Sequence, residues 1–154
     1  MSLYCFEPGY FERIWGGTRL RGSLGLPTPE GKTIGEAWMV SDHATFESRI
    51  VNGPRAGETL HDLMRTDAAA LLGRIPRPTP AGRFPLLLKL LDSGDALSVQ
   101  VHPDDECAAR LGEPDVGKTE MWHVLEADPE SRLICGLDPA VDADTFVAAV
   151  ESPQ

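Results

Sequence analysis

The chain has 154 residues, 42% hydrophobic and 25% charged, which suits one soluble globular domain with one modest core. Its 24 acidic against 14 basic residues give a net charge of −10 with no basic run, which argues against a nucleic-acid partner; any phosphate must rest on local Lys or Arg residues. The longest apolar stretch, residues 84–91, is broken by Lys89 and is too short to span a bilayer, so no membrane role is expected.

The N-terminal MSLYCFEPGYFERIW lacks the basic start and apolar run of a signal peptide. Cys5, Cys107 and Cys135 are odd in number and widely spaced, with no C-x-x-C. That pattern fits a reducing cytoplasm and buried structural thiols. The first third reads as short strands and turns. Trp15-Gly16-Gly17 and residues 22–31 are turn-rich, residues 33–41 (TIGEAWMVS) and 46–51 are strand candidates, and Asn52-Gly53 is a turn. Residues 58–73 predict a helix capped by Thr59, with Leu60, Leu63 and Met64 as its apolar stripe and Gly73 as its stop. A proline-rich loop spans 74–83. Residues 84–91 (FPLLLKLL) read as a strand covered on both faces. The turn at 92–95 then leads into a second strand, 96–102, as a hairpin. Pro103 ends that strand, and 104–111 reads as a short helix. Further strands are expected at 118–125 and 133–137, and a helix begins at Asp142.

The chemistry concentrates in LSVQVHPDDECAARLGEPDVGKTEMWHVL. Residues two apart on a strand share a face, so Ser98, Gln100 and His102 point one way and Val99 and Val101 point to the core. On a second strand Lys118, Glu120 and Trp122 share a face. Together the two polar faces offer imidazole nitrogen, carboxylate and amide oxygen and an ammonium, a mixed N/O set suited to a divalent metal with a cation beside it. Glu120 is preferred as the carboxylate over Glu106, which follows a strand break and falls on a solvated helix. His123 lies on the opposite face from Glu120 and is read as structural, as are His43 and His61. Lys89, inside an apolar strand, is either a snorkelling edge residue or a cation of the site. Residues 112–119 match the Walker A pattern literally, but a helix precedes the glycines and a β-like segment follows, the reverse of what phosphate binding by that loop requires.

Gly94-x5-Gln100-x-His102 resembles the first cupin motif, with Gln in place of the first His. More specifically, IWGGTRL, IGEAWMVSDH, FPLLLKLLD, LSVQVHPDD and GKTEMWHVLEA, in that order, resemble the N-terminal half of the short bacterial type I phosphomannose isomerases. The resemblance implies a mainly β fold, a single domain over residues 1–154: part of a cupin, or jelly-roll-like, β-barrel, incomplete, with a few short helices. It implies one divalent ion, zinc, held by Gln100, His102 and Glu120. A fourth ligand and a substrate-side arginine would belong to a later segment of the family that these residues do not include. It implies Lys118 as the catalytic cation, and Ser98, Lys89, Glu36 and Trp15 on the substrate side.

The implied reaction interconverts mannose 6-phosphate and fructose 6-phosphate through an enediol, in the cytoplasm. A divalent ion would polarise the carbonyl, and a nearby ammonium would stabilise developing negative charge. The competing class is a non-catalytic metal- or sugar-phosphate-binding module. For these residues on their own the expectation is negligible isomerase activity, and self-association through unpaired strand edges.

Overall fold

The computed structural model describes residues 3–74 and 77–152. It divides into two compact units, residues 1–118 and 119–154. The first carries the core: a three-stranded antiparallel sheet in the order β1 (Gly9–Gly17), β2 (Ile34–Val40) and β5 (Leu88–Leu91). A short ladder pairs β3 (Asp42–His43) with β4 (Phe46–Glu47). Helices α1 (Arg19–Gly22), α2 (Leu60–Leu72) and α3 (Asp105–Leu111) complete this unit. The second unit carries α4 (Ala143–Glu151). The core is thus β with a few short helices, as expected, and no closed barrel forms among the described residues.

β2 is the central strand and the most buried, because its sequence alternates bulk with glycine and alanine. Ala37 packs with Ile34 and Leu20 in one core cluster, flanked by Tyr10, Met39 and Leu90. A Cβ on Gly35 would lie 2.7 Å from Arg13 Cβ and 2.7 Å from Trp15 Cζ3, so only glycine lets β1 lay those side chains across β2. A second cluster joins Ile50 to Leu60 and Leu63 of α2, with Val40 and Phe84 against it. Helix α2 begins as expected: the Thr59 hydroxyl accepts from Asp62 N, and the Asp62 carboxylate accepts from Thr59 N. Its stripe of Leu60, Leu63 and Met64 is buried, and Gly73 ends it at φ +68°. The helices at 104–111 and from Asp142 also form, each with its aspartate cap, Asp104 or Asp142, accepting a backbone N–H. Asn52-Gly53 is a turn as expected, with Gly53 at φ +69°.

Several expected strands differ. Trp15-Gly16-Gly17 is the end of β1, not a turn. Within 46–51 only Phe46–Glu47 is strand, and Ile50 makes a single bridge to Phe6. Of residues 84–91 only Leu88–Leu91 is strand; it pairs with β2, and Leu86 and Leu88 are exposed, so it is not covered on both faces. Residues 96–102, 118–125 and 133–137 join no ladder, and Val99 and Val101 are 70% and 81% exposed instead of core.

The turn at 92–95 pairs with β1 and not with 96–102. Gly17 N donates to Asp92 O, Gly94 N donates to Trp15 O, and Ser93 bridges Gly16, so the turn is laced to the end of β1. The hairpin with 96–102 does not form, and an alternating segment with no paired neighbour has no face to bury. The three cysteines are free, but they are not buried as expected: Cys5 and Cys135 are exposed, and Cys107 is partly exposed. Within the loop expected over 74–83, Ile75 and Pro76 lie outside the described residues. No helix among the described residues is long and apolar enough to cross a membrane.

Candidate metal and substrate site

Gln100 and Ser98 lie on one side of their extended segment, as the two-residue spacing predicts: Gln100 Nε2 donates to Ser98 Oγ at 2.8 Å. With its amide NH2 so engaged, Gln100 presents its carbonyl oxygen, the atom a divalent ion takes. His102 is partly exposed and borders a depression shared with Pro103, Cys107, Leu111 and Val116. Glu106 is exposed on α3, as expected. Lys118 is exposed and closes the first unit, while Glu120, also exposed, falls in the second. His123 is exposed in the second unit too, outside any strand.

The GK motif is docked on the HPDD motif. Lys118 N donates to Pro103 O at 3.1 Å, and Gly117 N donates to Asp105 Oδ1 at 3.0 Å. A Cβ on Gly117 would lie 2.3 Å from Asp104 C, so this approach needs glycine for space. Gly112 ends α3 at φ +72°, Gly117 is spent on Asp105, and the next helix among the described residues is α4; none of this is phosphate-loop geometry.

Two residues expected on the substrate side, Glu36 and Lys89, meet on the three-stranded sheet. Glu36 and Trp38 of β2 face Leu91 and Lys89 of β5 in the register. The buried Glu36 carboxylate accepts from Arg13 Nε at 2.9 Å and from Trp38 Nε1 at 2.7 Å, and Lys89 Nζ lies 3.6 Å away. Burial alone would raise the Glu36 pKa, but the hydrogen bonds from Trp38 and Arg13 and the charges of Lys89 and Arg13 outweigh it and hold the carboxyl below its ordinary value. Lys89 is therefore an ion-paired side chain within the sheet. Trp15, the third residue expected there, lies across Gly35 of β2 and is not brought to Glu36 or Lys89 by any contact among the described residues.

Sequence reasoning passed over a second polar centre. The Asp42 side chain is fully buried. It accepts from Phe84 N at 2.7 Å and Arg83 Nη1 at 2.9 Å, and His61 Nδ1 lies 3.1 Å from it. Asp42, Glu47 and His61 place ligand-type atoms within 4.8 Å of one another, a spacing that suits a cation. Arg83 Nη1 already bridges the two carboxylates, 2.9 Å from each, and so supplies the positive charge there. His43, read as structural, lies in β3 and makes a 2.9 Å contact from Nε2 to Asp115 Oδ2. These partners are far apart in sequence, and no local spacing announces them.

The comparisons agree with the motifs. Residues 3–126 match the family described as phosphomannose isomerase type I, catalytic domain. The chain is 46% identical over 147 residues to the probable mannose-6-phosphate isomerase GmuF of Bacillus subtilis, covering 95% of this chain and 44% of that protein. It is 41% identical to a mannose-6-phosphate isomerase of Streptococcus mutans, covering 81% of this chain and 37% of that one. The crystal structure of the mannose 6-phosphate isomerase from Bacillus subtilis superposes with a TM-score of 0.64 at 37% identity, over 74% of this chain and 34% of that chain. The chain thus spans less than half the length of these relatives.

Proposed function

This chain belongs to the type I phosphomannose isomerase family, and on that premise we propose that it carries part of the site of a metal-dependent mannose-6-phosphate isomerase. The observation that most supports this reading is the docking of Lys118 against Pro103, the residue after His102, which joins the two most specific motifs. Gln100, His102 and Glu120 would hold one divalent ion, zinc, a borderline cation that takes imidazole nitrogen together with oxygen donors. When bound, such an ion supplies Lewis acidity toward the substrate oxygens.

The chain's own residues do the rest. Ser98 engages the Gln100 amide NH2 and so fixes which end of the amide is offered. The Lys118 ammonium places positive charge where negative charge develops as a proton moves between C1 and C2 through the enediol. Trp15, Glu36 and Lys89 would form the sheet-borne wall of the substrate pocket, with Glu36 kept ionised by the Trp38 indole N–H, Arg13 and Lys89. The phosphorylated hexose then meets local cations in a chain whose net charge is −10. The proposed setting is the cytoplasm, where the three free thiols would stay reduced.

Zinc titration separates the roles. Wild-type protein should bind zinc more weakly than a four-ligand site does. His102→Ala should abolish binding, and Lys118→Ala should leave it intact. Where turnover is measurable, Lys118→Ala should slow it by roughly 10²–10³-fold, the usual cost of one lost electrostatic stabiliser. Equal zinc loss in both variants, or undiminished binding by His102→Ala, would reject these assignments. Sugar-phosphate binding without turnover is what the binding-module reading expects.

A further inference from the structure

We propose that Asp105 and His43 are positioning residues that hold Lys118 against the His102 segment, a role that rests on the functional reading above. The loop 113–117 leaves α3 and must return Lys118 to the start of the same helix. Both ends of its return are fastened. At one end the Asp115 carboxylate meets His43 Nε2 at 2.9 Å. The His43 ring is set by Thr45 N, which donates to Nδ1 at 3.1 Å, so Nε2 carries the proton given to Asp115. Trp38 packs edge-on to that ring, 5.6 Å between centroids. His43 belongs to β3, so the loop is tied to an element of the β core.

At the other end Gly117 N donates to Asp105 Oδ1 at 3.0 Å, and Lys118 N donates to Pro103 O at 3.1 Å. The two adjacent aspartates divide the work: Asp104 caps α3 by accepting Cys107 N at 2.8 Å, while Asp105 reaches out of the first turn to Gly117. No φ requirement accounts for Gly117, since its φ is not positive; only the 2.3 Å approach to Asp104 does. The backbone of Lys118 is thereby fixed before its side chain makes any contact.

The test is calorimetric titration of the zinc-loaded chain with mannose 6-phosphate, with amide exchange of Gly117 and Lys118 followed by NMR. Wild type, Lys118→Ala, Asp105→Ala, Asp105→Asn, His43→Ala and Gly117→Ala are compared. Asp105→Ala, His43→Ala and Gly117→Ala should each weaken sugar-phosphate binding about tenfold and speed exchange at both amides, with zinc affinity within about twofold of wild type. Asp105→Asn keeps an acceptor for Gly117 N but loses the charge at the helix start, so it should bind within about twofold of wild type. Asn failing as badly as Ala would assign Asp105 to helix electrostatics and overturn the proposal. So would unchanged binding in Asp105→Ala, His43→Ala and Gly117→Ala while Lys118→Ala binds poorly. A Lys118→Ala protein that binds like wild type would show that the Lys118 side chain makes no contact with the bound sugar phosphate and would overturn the proposal, whereas a wild type that does not bind would overturn the functional reading, and this role with it.

Discussion

Glu36 has an indole N–H and two cations around a carboxylate that water barely reaches. Its depressed pKa means that its contribution to stability is complete above the ordinary value of 4.5 and fades as pH falls through the lower folded value. Glu36→Gln should cost about 1–3 kcal/mol at pH 7, since Arg13 and Lys89 are left facing an uncharged amide. That deficit should shrink as pH falls below 4.5 and through the lower folded value, where the wild-type carboxylate protonates. Urea unfolding of both proteins across pH 3–7 is the measurement; a deficit that does not vary with pH would remove the charge from the explanation. At this scale the sequence was informative about residue type and poor about partners. Glu36 and Lys89 could be nominated singly. Arg13, which completes their balance, could not, because strand pairing alone brings it to Glu36. The same holds for Asp42, whose partners His61 and Arg83 come from α2 and the segment before β5.

Elements with local causes were the legible ones. The α2 helix announces itself by Thr59, Asp62 and a stripe of leucines, all short-range, and it forms within the expected bounds. Thr59→Ala should cost about 0.5–2 kcal/mol, read by thermal or urea unfolding; no loss would mean that packing against Ile50 alone secures the helix start. Strands depend on partners elsewhere in the chain: β2 forms within the expected 33–41, but other strands differ from expectation in both directions. β1 was missed because apolar and charged residues share each of its faces and its pairing with β2 is irregular at Glu12. The segment around Val99 and Val101 has a clean two-residue alternation yet joins no ladder, and the turn before it pairs with β1. A pattern states which face could be buried; only a neighbouring strand buries it.

At the scale of the whole molecule, β5 is an edge strand of its sheet among the described residues. Leu86 and Leu88 are 66% and 59% exposed beside it, and Val99 and Val101 are exposed a few residues on. Such an edge is a template for another chain. Sedimentation should therefore show association that rises with concentration, and Leu88→Lys should reduce it; a monomer at all concentrations would show that the edge is protected. The buried core residues all come from the first unit, and among the described residues of 119–152 none is buried. Backbone that is neither buried nor laddered opens to a protease without waiting for global unfolding. Brief digestion should thus erode the C-terminal unit and leave a resistant product ending near Lys118. Two tryptophans would date the two events separately: the exposed Trp122 is lost with the first cuts, while Trp38, enclosed beside Glu36, keeps its emission until the sheet itself gives way.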